Sequence, residues 1–288
     1  MRHLLPLILA AALARAAEIA GTDALADTLQ PALVARANAL GAKTTVHLDG
    51  SLPARDGVRE GKIDIAILFL RESDNLDKAA DGKAIRRFPL GSAAAYVYVH
   101  PSHPLREINL PTLANLYGSG QRADYKFWSD VPGVSLPEPV LMFTCVPERH
   151  MAQTLFQGIA LGGRAFKPSV RLRVEPTLAQ ESVSGRTNAI LVSALPLPPK
   201  FGRLLQVADR REGRSATAYS PDEANIFNGD YPLRLPLVLC VREDRVAENA
   251  ETIRWLLSEE VAGKIREAGM IPAPRAIRER LAQRLDSK

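Results

Sequence analysis

The sequence predicts an α/β protein of two lobes, each a sheet flanked by helices, joined by two extended strands acting as a hinge. Three observations lead there. Short apolar runs alternate with helical spacings from about residue 17 to 69, as in a parallel sheet covered on both faces. Two long extended runs, Arg86 to Val99 and Leu235 to Val241, bracket a second αβ region. A chain of 288 residues, 46% hydrophobic and 24% charged, is long enough for two globular cores.

The chain opens on a secretion pattern. Met1-Arg2-His3 is a short basic start, Leu4 to Leu13 an apolar run, and Ala14-Arg15-Ala16 an A-x-A cleavage site ahead of Ala17. Pro6, the brevity of the run and the switch to strand-like Glu18-Ile19-Ala20 favour a cleaved leader over 1–16 rather than a buried helix. No later run reaches the ~20 apolar residues needed to span a bilayer. The expectation is a soluble exported protein with no membrane span after cleavage.

Ile19-Ala20 reads as a first strand and Gly21 as a turn. A helix then follows, capped by Thr22 or Asp23, with Leu25, Leu29, Leu33, Val34, Ala37 and Leu40 at helical spacing and Pro31 kinking it. Such a junction aims backbone N–H groups and a positive dipole end at one point, an anion site. Thr44 to Leu48 is a second strand, Asp49-Gly50-Ser51 a turn, and Val58-Arg59-Glu60-Gly61 the end of a short helix. Ile63 to Phe69 is almost continuously apolar, as a buried parallel strand should be.

Pro101 and Pro104 close the first long extended run. The second αβ region, from about Asn109 to Pro221, holds strands at Val140 to Val146 and Ala189 to Val192, and a loop at Pro196, Pro198 and Pro199. Tyr231-Pro232-Leu233-Arg234 leads into the second extended run. The last helix carries Ile253, Leu256, Leu257, Val261 and Ile265, and stops at Gly269 before Pro272. Residues 17–92 with 235–288 form the expected first lobe, and 93–234 an inserted second lobe. Open α/β sheets bind ligands beyond the carboxyl ends of their strands, so the site is expected between the lobes.

The formal charge of +5 is spread along the chain. There is no aromatic-interleaved basic stripe and no zinc spacing, so nucleic acid is not an expected partner, and neither a metal nor a cofactor is expected. Cys145 and Cys240 each lie in a strand-like run. An oxidising compartment permits a bridge between them, and the sequence leaves the pairing open.

Four stretches, in order along nearly the whole chain after the leader, resemble the phosphate-type solute-binding proteins of ABC transporters, with the type II periplasmic-binding-protein fold. Gly21-Thr22-Asp23-Ala24-Leu25 resembles that family's opening Gly-Ser-Asp-Thr-Leu. Asp49-Gly50-Ser51, with Gly61-Lys62-Ile63-Asp64-Ile65-Ala66, resembles its Gly-Ser and Gly-x-x-Asp-Ile-Ala segment. Ile108-Asn109-Leu110, Leu116-Tyr117-Gly118-Ser119-Gly120 and Phe127-Trp128-Ser129-Asp130-Val131 are similar to an element of its second lobe. Asn228-Gly229-Asp230-Tyr231-Pro232-Leu233, Leu256-Leu257-Ser258 and Gly269-Met270-Ile271-Pro272 are similar to its carboxyl-terminal signature.

The resemblance implies a small anionic ligand such as phosphate, held by Ser/Thr hydroxyls, helix N-terminal amides, an arginine and a Ser-Gly-Thr tripeptide, and delivered to an ABC-transporter membrane component. Thr22 and Ser51 match the hydroxyl positions. Ala24 stands in place of a threonine, and Phe69 in place of a serine or aspartate. In the second-lobe loop, Val146 falls on the arginine and His150-Met151-Ala152 on Ser-Gly-Thr; a shift of one or two residues gives Arg149 the arginine's role.

The ligand-binding set is therefore Thr22, Asp23, Ser51, Arg149 and His150. Thr22 and Ser51 serve as hydroxyl donors or as helix caps. Asp23 receives a proton from a protonated oxyanion or caps the helix. Arg149 and His150 supply cationic donors or sit in a solvated loop. Phe69 walls a pocket or ends a core strand; His47, His100 and His103 fit surface or core roles. Ser51 with His150 lacks the Gly-x-Ser-x-Gly elbow of a nucleophile, so no catalytic residue and no enzyme are expected. The alternative is a module on the same fold that has lost phosphate recognition and acts as a sensor or partner-binding protein.

Overall fold

A computed structural model of the chain describes residues 17–39, 44–71, 74–145 and 151–285. The expected leader, 1–16, lies outside the described residues. The chain opens with β1 (Glu18–Gly21), α1 (Gln30–Ala39), β2 (Thr45–His47), α2 (Ser51–Glu60), β3 (Ile65–Phe69) and β4 (Ile85–Ala94). β5 (Tyr96–Val99), β6 (Glu107–Asn109), α3 (Leu110–Tyr117), β7 (Leu141–Cys145), α4 (Ala152–Ile159), β8 (Arg171–Arg173), α5 (Pro176–Ser184) and β9 (Ala189–Ser193) follow. Then come β10 (Arg203–Leu204), β11 (Gln206–Ala208), β12 (Ala218–Tyr219), α6 (Glu223–Asn228) and β13 (Arg234–Arg242). α7 (Ala250–Leu256), α8 (Glu259–Glu267), β14 (Ile271–Pro272) and α9 (Arg275–Gln283) end it.

Six strands form the first sheet in the order β14-β4-β13-β3-β1-β2. β1 is parallel to β2 and β3, whereas β13 runs antiparallel to both β3 and β4. The apolar run of β3 is explained by its two covered faces. Ile65, Ile67 and Phe69 enter the main core with Ile19 and with Leu25, Leu29 and Leu33. Ala66 and Leu68 enter a smaller core with Ala20 and with Ala54 and Val58 of α2. Alternate side chains of a strand point to opposite faces, so a strand covered on both sides carries no polar register.

The second sheet has the order β10-β5-β9-β7-β8, with β7 parallel to its neighbours β8 and β9. A three-stranded sheet, β12-β11-β6, stands apart from it. The long extended run of the sequence is thus shared: β4 belongs to the first sheet, β5 to the second, and the change falls at Ala95. The return passes Leu233, whose carbonyl accepts from the Ala95 N–H at 3.0 Å. The buried Tyr231 hydroxyl donates to the Ala95 carbonyl at 2.7 Å. Both backbone groups of Ala95 are therefore bonded to the returning segment.

Three expectations need correction. Thr22 caps a single 3₁₀ turn, Asp23–Leu25, rather than a long helix. Pro31 does not kink the helix; it is the second residue of α1. A proline ring has no N–H for the preceding turn and collides with its carbonyl, so a helix continuous from residue 23 breaks before Pro31 and restarts where the missing N–H costs nothing. The last apolar stretch is two helices, α7 and α8, separated at Ser258, whose hydroxyl caps α8 through the Val261 N–H. Beyond Gly269 the chain continues into β14 and α9. Cys145 and Cys240 are both free and buried, in different sheets. Burial pushes the Cys240 thiol up to about 12.

Candidate functional site

Three strand ends of the first sheet come together. Thr22 follows β1, Gly50 and Ser51 follow β2, and Phe69 ends β3. The parallel register of β1 with β2 and β3 puts all three at the carboxyl edge, where open α/β sheets hold ligands. Gly21 is required at this edge: a Cβ there would stand 2.7 Å from the Ile67 carbonyl oxygen and 2.9 Å from the Ile67 Cβ. Without a side chain, the Thr22 N–H reaches the Ile67 carbonyl at 2.9 Å, and the Gly21 carbonyl accepts from the Gly50 N–H at 2.8 Å. Gly50 itself has φ 145°, which L side chains rarely adopt. The two turns are thereby locked side by side by backbone bonds.

The hydroxyls are oriented by what they accept. Thr22 Oγ1 accepts from the Ala24 N–H at 3.3 Å, and Ser51 Oγ accepts from the Phe69 N–H at 3.2 Å. A hydroxyl carries one donor and two acceptor lone pairs, so Ser51 keeps its proton to donate to an anion. Thr22 donates to Asp23 Oδ1 across an outer-limit 3.5 Å, a weak bond that an anion can displace. Thr22 is buried, Ser51 half-buried and Asp23 exposed. α2 begins here with no side-chain cap on its first turn, leaving its amides for water or an anion.

Of the five residues expected to bind ligand, Thr22, Asp23 and Ser51 gather at this edge. Arg149 and His150 lie outside the described residues, as does Val146. Phe69 is 8% exposed and packs in the main core, so its ring ends the strand as part of the hydrophobic interior. In the second sheet, the carboxyl ends of β7 and β9 are Cys145 and Ser193. Burial raises the Cys145 thiol pKa, and a hydrogen bond with Ser193 opposes that rise.

A cavity of about 330 Å³ lies close by and contains none of the five. Its lining includes Arg71, two residues beyond β3, and Arg234 at the start of β13. Arg211 and Arg214 reach it from the β11–β12 loop with Asp209, and Tyr219 from β12. Sequence reasoning passed over these residues, although the run Asp209-Arg210-Arg211-Glu212-Gly213-Arg214 was a visible cluster of charge. Among the described residues, no group of three or more His, Cys, Asp or Glu side chains is placed to hold a metal ion. No helix among them is long and apolar enough to cross a membrane.

No protein-family model matches the chain, and no curated protein matches it. Solved structures do. A possible phosphate binding protein from Planctomyces limnophilus superposes with a TM-score of 0.72 at 17% identity, covering 94% of this chain and 97% of that one. PstS from Borrelia burgdorferi gives 0.70 at 14% identity, covering 90% and 98%. An ABC-type phosphate transport receptor from Vibrio cholerae gives 0.62 at 18% identity, covering 88% and 99%. At such identities the likeness speaks to architecture, and it extends over nearly the full length of each partner. The chain has the α/β fold of these proteins, the type II periplasmic-binding-protein fold.

Proposed function

We propose that this is an exported solute-binding protein that holds a small anion, phosphate or a similar oxyanion, at the carboxyl edge of its first sheet and delivers it to an ABC-transporter membrane component. The observation that carries the reading is the pair of turns locked together by Gly50 N–H to Gly21 C=O, each presenting a hydroxyl whose acceptor side is already engaged. An oxyanion needs short donors converging from several directions. Thr22, Ser51 and the first-turn amides of α2 supply one side of that shell. Arg149 and His150, which fall between β7 and α4 in the sequence, would supply the other. The lobes, 17–92 with 235–288 and 93–234, would close on the ligand, because contacts made to both favour the closed state. No covalent chemistry is needed, and the protein is read as a receptor rather than an enzyme.

A second reading keeps the fold and gives up phosphate: a sensor or partner-binding module. It is favoured by Phe69, whose buried ring occupies a strand end that is polar in the phosphate-binding pattern, and by Ala24 in place of a threonine. Thermal denaturation of ligand-stripped protein separates the two. A true ligand at 100 times its Kd raises stability by about 2.7 kcal/mol. Stabilisation by phosphate, sulfate or molybdate supports the first reading. No shift from any of these anions rejects it and leaves the second.

A further inference from the structure

The arginine-lined cavity has the composition of a ligand site and is not the turn pair described above. Its charged groups come from separate parts of the chain. Arg71 follows the first sheet's central strand, Arg234 stands at the return crossing, and Arg211 and Arg214 come from the loop joining β11 to β12. Asp209 and Asp230 are the acidic residues of the lining. Asp209 is engaged by Arg211, with Arg211 Nη2 2.7 Å from Asp209 Oδ2. Burial disfavours that carboxylate, but its bonds to Arg211 and the nearby Arg214 charge hold its pKa below the ordinary range. Among the described residues of the lining, the charged side chains are four arginines and two aspartates.

Arg234 lies across the turn that ends α6. Gly229 closes that helix with φ 91°, and its missing Cβ leaves room there for the Arg234 guanidinium, whose nearest nitrogen a Cβ would meet at 2.5 Å. The rest of the wall is mostly apolar, with Ile159, Tyr231, Pro232, Leu235 and Pro236, and Ser215 and Tyr219 add polar side chains. Tyr231 is fixed by its bond to Ala95, so this wall is rigid on the crossing side. A volume of about 330 Å³ is far larger than one tetrahedral oxyanion needs and sits at the small end of organic-ligand pockets, about 300–1,000 Å³.

We propose that this cavity binds a small organic dianion, its paired negative charges on the Arg71, Arg214 and Arg234 side and its carbon body against Ile159, Pro232 and Leu235. The guanidinium fork suits carboxylate and phosphate oxygens alike, so dicarboxylates and phosphate monoesters share the required chemistry. The lining contains none of Thr22, Asp23 and Ser51, and the proposed occupant differs in kind, since an inorganic oxyanion leaves the apolar wall uncovered.

Titration calorimetry tests this with succinate, glycerol 3-phosphate and inorganic phosphate as probes. The expected result is one-to-one binding of at least one organic probe, weakened tenfold or more in both Arg71→Gln and Arg214→Gln. These two side chains are exposed, so the variants keep the fold; circular dichroism verifies it. Thr22→Ala and Ser51→Ala should leave that affinity unchanged while weakening inorganic phosphate. Comparing the two organic probes tells which dianion chemistry the arginines prefer. The proposal is overturned if neither organic probe binds, if both arginine variants bind as the parent does, or if the organic probes lose affinity only in the Thr22 and Ser51 variants.

Discussion

The Phe69 N–H donates to the Ser51 hydroxyl oxygen at 3.2 Å, joining the end of β3 to the start of α2. This bond makes Ser51 both a structural acceptor and an oriented donor. Ser51→Ala should cost about 1 kcal/mol in the absence of ligand, the usual net worth of one such bond. Urea denaturation of stripped protein measures it. A loss near zero would mean that water replaces the hydroxyl and that Ser51 is not held in place.

Tyr231 and Ala95 tie the two passages of the chain between the sheets. Tyr231→Phe removes a buried donor and leaves the Ala95 carbonyl without it. The expected cost is about 1–3 kcal/mol, because a buried carbonyl loses its partner while little volume changes. A variant as stable as the parent would show that the Ala95 N–H bond to Leu233 is sufficient to hold the crossing.

His103 gives the fold a defined acid sensitivity. It is buried against Trp128, with ring centroids 4.2 Å apart, and its Nδ1 accepts from the Leu105 N–H. Its Nε2 has no hydrogen-bond partner. Burial, and secondarily the charge of His100, push its pKa down to about 4 from 6.5. The unfolded chain therefore binds the extra proton first. This contribution is complete above pH 6.5 and is lost as the pH falls towards 4. Asn at this position keeps a short acceptor and does not titrate. Between pH 7.5 and 4.5 the parent should lose about 2–3 kcal/mol more than His103→Asn. Equal losses in denaturation series at the two pH values would contradict the assignment.

Arg278 of α9 holds the carboxyl-terminal helices together. It is 3% exposed and donates to the Ala273 and Leu257 carbonyls at 2.9 and 3.0 Å, and its Nη2 lies 2.5 Å from Glu259 Oε2. Arg278→Met fills similar space but leaves both carbonyls unpaired, for an expected loss of about 2–4 kcal/mol. Arg278→Lys should recover only part, since an ammonium lacks the planar fork. Chemical denaturation of both variants reads the difference; full recovery by lysine would show that charge alone matters.

Much of the architecture was legible because burial writes itself into the sequence. The almost continuous apolar run ending at Phe69 read as a strand covered on both faces, and Gly21, Gly50 and Gly61 punctuated the elements around it. Helix limits were less legible where one proline sets them. Pro31 fits a helix start as well as a kink, and only the tertiary position of Leu25 and Leu29 decides between them. At the candidate site, Thr22 was legible from turn chemistry as a helix cap, whereas Ser51 as a ligand hydroxyl was suggested only by the family resemblance. The arginine cavity was missed because Arg71, Arg214 and Arg234 are far apart in sequence and converge only through the crossing at Ala95 and Leu233. The free thiols were likewise undecidable from spacing, since sheet membership fixes whether two Cβ atoms meet.

The central claim is that the paired turns after β1 and β2 bind an oxyanion. Equilibrium dialysis with radiolabelled phosphate, on protein stripped by denaturation and refolding, tests it most directly. The account predicts saturable one-to-one binding that falls tenfold or more in Thr22→Ala and in Ser51→Ala, with both variants folded. Saturable binding that neither substitution weakens, or no binding at millimolar phosphate, would contradict it.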